Sequence, residues 1–320
     1  MTTVSVLLPF MPTRPEHAIP YAAFVQYRGA YRLWQGQSLS LEPHQLFSYL
    51  AAAGFRIPVG IGVTLMPLRH PMEAALQVRS VAAATGKPVV VGFGPGASSL
   101  QRSVGGAPYR RPLVATREYV TIVRALLAGD SLAYDGVYFT QWGTLPKLPD
   151  EAVEVGVGVL RPGMARLAGE VADVAITWLT PPDYLAGELV PALRAGAEAA
   201  GRRRPRLVAM VPMALRAPDR DPVDLVLAGN GLHLQQPHYR DMLRRAGLRL
   251  AAEDLTADAR ALLAAGGFCY GDPAELSAYV DAYRAAGVDE VVVNMTAVCR
   301  LHGARTTLSE LSTLFEVIPA

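Results

Sequence analysis

Short apolar runs of strand length alternate with helical patterns along almost the whole chain, and this rhythm limits the fold more than any other feature. The runs are residues 4–9, 31–35, 57–65, 88–93, 151–160, 174–178, 206–215 and 290–294. Apolar and bounded by turn residues, they read as strands buried on both faces of a parallel sheet. Eight such strands alternating with helices predict an α/β chain folded as a (β/α)8 TIM barrel, with function at the C-terminal strand ends. An open doubly wound sheet is the alternative, and the lack of a GxGxxG after the first run weighs against it. The rhythm breaks at residues 216–266, so residues 1–320 read as one barrel domain with an insertion over its mouth, before the last strand.

The central stretch is IPVGIGVTLMPLRHP, residues 57–71. Gly60 and Gly62 inside its strand predict that another group approaches the backbone closely. Pro67 ends the strand and Pro71 opens a helix, with Met72, Ala75, Leu76, Arg79 and Ala83 at helical spacing. Three further places carry turn chemistry. The loop GPGASS at residues 94–99 can offer backbone N–H groups to a phosphate, although Gly-Pro-Gly also simply makes a turn. A hairpin is expected in DSLAYDGVYF with its turn at Asp135-Gly136. Arg161-Pro162-Gly163-Met164 starts a helix whose free N–H groups form an anion site. Tyr21, Phe24 and Tyr27 are expected in the core, residues 309–317 form a closing helix, and Trp34 and Trp178 fall at strand ends on the mouth.

Composition excludes several classes. Hydrophobic residues are 51%, yet no apolar run reaches the roughly 18 residues of a membrane span, so no membrane partner is expected. The N-terminus lacks a charged leader before its apolar run and does not read as a signal peptide. Cys269 and Cys299 have no metal spacing, so neither a zinc site nor a disulfide framework is expected, and a cytoplasmic address follows. A net charge of +2 argues against nucleic-acid binding. The basic residues are nearly all arginine, which suits phosphate and carboxylate but also follows from compositional bias. His17, His44, His70, His233, His238 and His302 show no metal spacing and are expected at structural or surface positions.

The "PLRHP" turn, the series Arg117-Glu118-Tyr119, YDGVYF and the GDPAEL…AGVDEV segment together resemble the luciferase-like family of flavin and deazaflavin oxidoreductases. The resemblance covers nearly the whole chain. It implies a barrel that binds coenzyme F420 or FMN at the strand C-termini. It places Gly62 and Val63 at a non-prolyl cis peptide beneath the cofactor ring with Thr64 beside them. It also places Gly94 and Gly96 near the cofactor tail, and Arg161, Pro162, Gly163 and Met164 at the phosphate turn. A homodimer acting on a small molecule or peptide is expected.

This sequence departs from the resemblance where proton transfer is concerned. Gln37-Ser38 stands where deazaflavin-dependent relatives often have Asp-His, and Ala97 where some have glutamate. Alcohol oxidation needs a base for the hydroxyl proton, so it is not expected here. Hydride delivery to an already electrophilic C=C or C=N fits better, with Gln37 and Ser38 hydrogen-bonding a conjugated carbonyl and Trp178 contacting the ring or substrate. The chain also resembles reductases that convert dehydroalanine in peptide natural products. F420 is preferred over FMN because Arg102, Arg110, Arg111 and Arg161 lie on expected mouth loops and suit a longer anionic tail. An FMN-dependent monooxygenase and a non-catalytic cofactor-binding barrel are the alternatives.

Overall fold

Each of the eight apolar runs becomes a strand, and together they close on themselves. The computed structural model describes residues 3–148, 152–251 and 253–318. Its strands are β1 (Thr3–Leu7), β2 (Leu33–Gln35), β3 (Val59–Leu65), β4 (Val89–Gly94), β5 (Leu132–Asp135), β6 (Thr140–Gly143), β7 (Val153–Gly158), β8 (Val174–Trp178), β9 (Arg206–Leu215), β10 (Cys269–Gly271) and β11 (Glu290–Asn294). Among the described residues, β1, β2, β3, β4, β7, β8, β9 and β11 pair in parallel, and the pairings β8–β9 and β1–β11 complete a closed ring. This is the (β/α)8 barrel. Valine-rich strands suit it because every strand is buried on both faces, by helices outside and by the barrel filling within. Among the described residues no helix is long and apolar enough to cross a membrane.

Helix boundaries follow local chemistry. The helix Pro43–Ala52 is capped by the Glu42 carboxylate, which accepts from the N–H groups of His44 at 2.7 Å and Gln45 at 3.1 Å. Asp272 and Glu275 form a reciprocal capping box at the helix Pro273–Ala285. Gly129 ends the helix Pro112–Ala128 at a φ of 80°, a left-handed stop that glycine adopts without penalty.

Several expectations shift. The buried face of the helix Pro71–Thr85 comprises Ala74, Ala75, Val78, Arg79, Val81, Ala82 and Thr85, whereas Leu76 and Ala83 are exposed. An alanine-rich helix gives a weak periodic signal, so its face was displaced by about one position. Tyr21 and Phe24 are buried but Tyr27 points to solvent. The hairpin turn is four residues long, 136–139, and so wider than the two-residue turn that Asp135-Gly136 implies, because Asp135 pairs with Thr140. The Glu118 carboxylate holds that wider turn by accepting from the N–H groups of Val137, Tyr138 and Phe139 at 2.8, 2.8 and 3.1 Å. The loop 94–99 runs directly into a helix, Ser98–Gly105, and the closing helix begins much earlier, spanning Thr296–Val317 with a break at Gly303. The strand expected at 151–160 begins at Val153 within the described residues, and Glu151 lies outside them.

The barrel is filled by Leu7, Trp34, Val90, Val174, Ile176, Val208, Met210 and Val292. Trp34 is fully buried in this filling and is not on the mouth, which corrects its expected position. Its ring explains the glycines of β3. A Cβ on Gly60 would lie 2.3 Å from Trp34 Cδ2, and one on Gly62 would lie 2.6 Å from Met210 Cε. The group that approaches the strand closely is therefore the barrel's own filling. At the N-terminal end of the barrel, Glu290 accepts hydrogen bonds from Ser5 Oγ at 2.7 Å, Trp34 Nε1 at 2.6 Å and Arg206 Nη1 at 3.1 Å, and it pairs with Arg32 Nε at 3.5 Å.

Two outcomes test this arrangement. Glu290→Ala leaves Arg32 a buried cation without its carboxylate, and is expected to cost about 3–5 kcal/mol in urea unfolding; a loss below about 1 kcal/mol, typical of an exposed pair, would show that the network is not holding the barrel. Gly60→Ala is expected to cost about 1–3 kcal/mol by overpacking, with a smaller penalty in a Trp34→Leu background; strict additivity of the two changes would refute the packing assignment.

Candidate functional site at the C-terminal mouth

Every barrel strand delivers its C-terminal end to one face, and a cavity of about 960 Å³ opens there. Its floor is short-chained. Gly36, Gly62, Gly94, Gly96 and Gly158 line it, with Val63 between them. The Gly62–Val63 peptide bond is cis, as the resemblance implies, and the pairing of β3 with β4 shifts register between Ile61 and Thr64. A Cβ at Gly94 would come within 3.1 Å of Val63 Cγ2, so a side chain there would crowd the floor.

Two helices begin at the rim. Ala97 and Arg161 are the N-cap residues of the helices Ser98–Gly105 and Pro162–Val171, and neither helix has a side-chain cap. Their first-turn N–H groups are left for solvent or an anion. Ser98, Ser99, Arg161 and Met164 line the cavity, whereas Pro162 and Gly163 are not among the lining residues. Arg161 reaches Asp241 at 3.3 Å, an exposed pair that leaves much of its charge available. Arg102, Arg110 and Arg111, expected as further cations, are exposed outside the lining; Arg300, not anticipated, belongs to it.

One wall carries Gln37, and its carboxamide is held firmly. Its Oε1 accepts from Arg69 Nη2 at 3.2 Å and Thr64 Oγ1 at 3.4 Å, while Nε2 donates to the Ser38 carbonyl at 2.9 Å. The acceptor side is occupied, so what remains for a ligand is the second Nε2 proton. Arg69 is positioned in turn by Glu42 at 3.4 Å and by Tyr119, whose hydroxyl donates to the Arg69 carbonyl at 3.1 Å. The Arg-Glu-Tyr series therefore works structurally, Glu118 shaping the hairpin and Tyr119 the PLRHP turn. Ser38 and Thr64 do not reach the cavity. The Ser38 hydroxyl is turned to its own loop, accepting from the N–H groups of Ser40 at 3.0 Å and Leu41 at 3.2 Å. Thr64 is fully buried behind Gln37. Both are corrected from ligand contacts to supports.

The opposite wall comes from the region 216–266, of which residue 252 lies outside the described residues. It folds as the helices Pro222–Leu234, Pro237–Arg245 and Leu255–Ala264, followed later by β10 against the end of β9. Leu232, His233, His238 and Tyr239 line the cavity from the first two helices, and Gln236 from the turn between them. Trp178, at the end of β8, stacks on His233 with ring centroids 5.4 Å apart and planes at 25°, and Tyr239 meets the imidazole edge-on at 5.1 Å. Burial, helped by His238 and Arg300, pushes His233 down to about 4, and burial also lowers His238. His233 and His238 thus belong to the cavity and not to the surface. The sequence signal that marks them is the segment HLQQPHY, which gathers two imidazoles and a tyrosine around a proline helix start. Among the described residues no Asp or Glu lines the cavity, and no group of three or more His, Cys, Asp or Glu side chains is placed to hold a metal ion.

Residues 3–290 match the family described as luciferase-like monooxygenase. The chain belongs to that family. Curated relatives of this luciferase-like chain include a 5,10-methylenetetrahydromethanopterin reductase from Methanolobus tindarius, 28% identical over 66% of this chain and 65% of the relative. An F420-dependent glucose-6-phosphate dehydrogenase from Nakamurella multipartita is 31% identical over 52% of this chain and 51% of its own. The chain thus spans between about half and two thirds of these relatives' lengths. Among solved structures, an F420-dependent secondary alcohol dehydrogenase superposes with a TM-score of 0.80 at 19% identity, covering 99% of this chain and 98% of the other. The FMN-bound oxygenating constituent of 3,6-diketocamphane monooxygenase from Pseudomonas putida gives 0.73 at 16%, with 99% and 98% covered. At such identities the likeness establishes the shared barrel.

In this luciferase-like site the neutral His233 makes a stability signature. Its folded pKa is depressed from an ordinary 6.5 to about 4, so the unfolded chain binds the extra proton first on acidification. The contribution is present above about pH 6.5 and is lost as pH falls through the folded value. His233→Gln is therefore expected to flatten the fall in thermal midpoint across that window; an unchanged slope would show that the imidazole is not buried neutral.

Proposed function

We propose that the chain is a coenzyme F420-dependent reductase that delivers hydride to an electrophilic double bond, with dehydroalanine in a peptide as the substrate class. The observation that carries this reading is the polarity of the cavity: Gln37, His233, His238, Arg161 and Arg300 supply N–H donors and cations, and no carboxylate lines it among the described residues. Such a wall favours negative charge that develops on a substrate oxygen or nitrogen. It lacks the carboxylate base that would draw a proton from an alcohol, and His233, held down to about 4, is a weak one.

The residues fit the cofactor. The cavity of about 960 Å³ has a glycine floor against which a flat ring can lie, and two uncapped helix starts with Arg161 nearby suit a phosphodiester. Bound there, reduced F420 supplies a hydride. Gln37 keeps its free Nε2 proton directed by Arg69 and Ser38, which suits a carbonyl conjugated to the double bond. Trp178 and Tyr239 contribute apolar ring surface that excludes water from the reacting face. The relatives that carry F420 in their names support the cofactor. The insertion region 216–266 acts as the cover for a bulky substrate in this reading.

Anaerobic incubation with reduced F420 and a dehydroalanine-containing peptide is expected to add two hydrogens to the peptide, read by mass spectrometry, as the deazaflavin absorbance returns. No gain, together with oxygen-dependent turnover on reduced FMN, would replace this reading with a monooxygenase.

A further inference from the structure

The His233 imidazole on the cavity wall is packed against two other rings. Trp178 stacks on it at 5.4 Å and Tyr239 abuts it edge-on at 5.1 Å, so both contacts restrict its rotation. Nδ1 is buried with no hydrogen-bond partner, which leaves Nε2 as the edge open to the cavity. A proton on Nδ1 would be an unpaired buried donor, the rarer and costlier kind of orphan, so the neutral ring carries its proton on Nε2. Burial beside His238 and Arg300 keeps the ring neutral near pH 7. A neutral imidazole of this kind is a fixed N–H donor and a poor base. The other groups facing it, Tyr239 and Gln236 from its own region and Trp178 from β8, bring no negative charge.

We propose, resting on the reductase reading above, that His233 donates a hydrogen bond from Nε2 to the carbonyl oxygen of the substrate, and that this site selects carbonyl-conjugated double bonds over unpolarised alkenes and alcohols. As hydride adds to the β-carbon, a C–H bond forms, the C=C π pair moves toward the α-carbon and carbonyl, and the charge settles on oxygen. Water then protonates the α-carbon. Hydride comes from the reduced deazaflavin and the proton from solvent, so the addition is balanced without any acid among the wall residues. The donor is stronger against the developing oxyanion than against the ground-state carbonyl, which is the condition for raising kcat. Gln37 stands on the opposite wall with one free N–H. The two donors, from distant parts of the chain, line one cavity.

The test uses N-acetyl-dehydroalanine methylamide labelled with 13C at the acryloyl carbonyl, with wild-type protein and the His233→Phe and His233→Gln variants. Phenylalanine keeps the stack on Trp178 and removes the donor; glutamine restores an N–H. In complexes with oxidised F420, which does not reduce the probe, the bound carbonyl is expected to move downfield in wild type and in His233→Gln and to stay near its free position in His233→Phe. With reduced F420, His233→Phe is expected to lose about 100-fold in kcat, with KM changed far less. Reduction that is equal in wild type and His233→Phe, with identical carbonyl shifts, overturns the assignment and leaves the reductase reading standing. A downfield shift that vanishes in His233→Phe without any reduction by wild type supports the donor and overturns the reductase reading. Neither reduction nor shift overturns both.

Discussion

Glu290 sits at the N-terminal end of the barrel with no exposure to water, and four elements of the structure converge on its two oxygens. Ser5 arrives from β1, Trp34 from β2, Arg206 from β9, and Arg32 from the turn before β2. A buried carboxylate is tolerable only when its charge is matched and its lone pairs are used, so these strands are bound to one geometry. Arg32 extends the same demand, donating to the carbonyls of Val59 at 2.8 Å and Pro88 at 3.2 Å at the feet of β3 and β4. The hydrogen bond to Trp34 has the longest reach. It fixes an indole in the barrel interior, and the indole leaves no space for a side chain at Gly60.

The floor of the cavity is the upper surface of that packing. Met210 and Trp34 crowd Gly62 from below, and Val63 above it contacts the space at Gly94 and Gly158. A shelf made of backbone and backed by tightly packed apolar side chains has little freedom to adjust, which suits a site that must hold a flat ring. The two walls are built differently. The Gln37 wall is a chain of polar contacts through Arg69 to Glu42 and Tyr119, all close to the barrel. The His233 wall is an aromatic stack in which His233 and Tyr239, from residues 216–266, pack against Trp178 at the end of β8.

The barrel was legible because its signal is repetitive: eight short apolar runs alternating with helical patterns have few alternative uses, and that alternation points to a parallel sheet. The Arg161 turn was legible too, since proline at the first helical position marks a helix start from sequence alone. Hydrogen-bond direction was not. Gln37 and Ser38 are neighbours in the chain, yet the Gln37 amide reaches the cavity and the Ser38 hydroxyl is consumed by Ser40 and Leu41. Trp34 looks the same in sequence whether it points into the barrel or out of its mouth, because a three-residue strand does not establish phase. The arginines at 102, 110 and 111 looked equivalent to Arg161, and only the path of the loop that carries them separates them from the cavity.

By itself the sequence determined the closed parallel barrel, the face on which its cavity opens, the cis bond's location in a glycine-broken strand and the absence of the Asp-His pair at residues 37 and 38. These depend on local residue types, on spacing and on a family pattern, which a linear chain carries openly. The tertiary structure alone decided that His233 and Trp178, 55 positions apart by their numbers, stack at 5.4 Å. It also decided that one imidazole nitrogen is buried while the other is left to the cavity. Burial and ring contact are properties of where the helices of residues 216–266 come to rest against the end of β8, and no short-range pattern specifies that meeting.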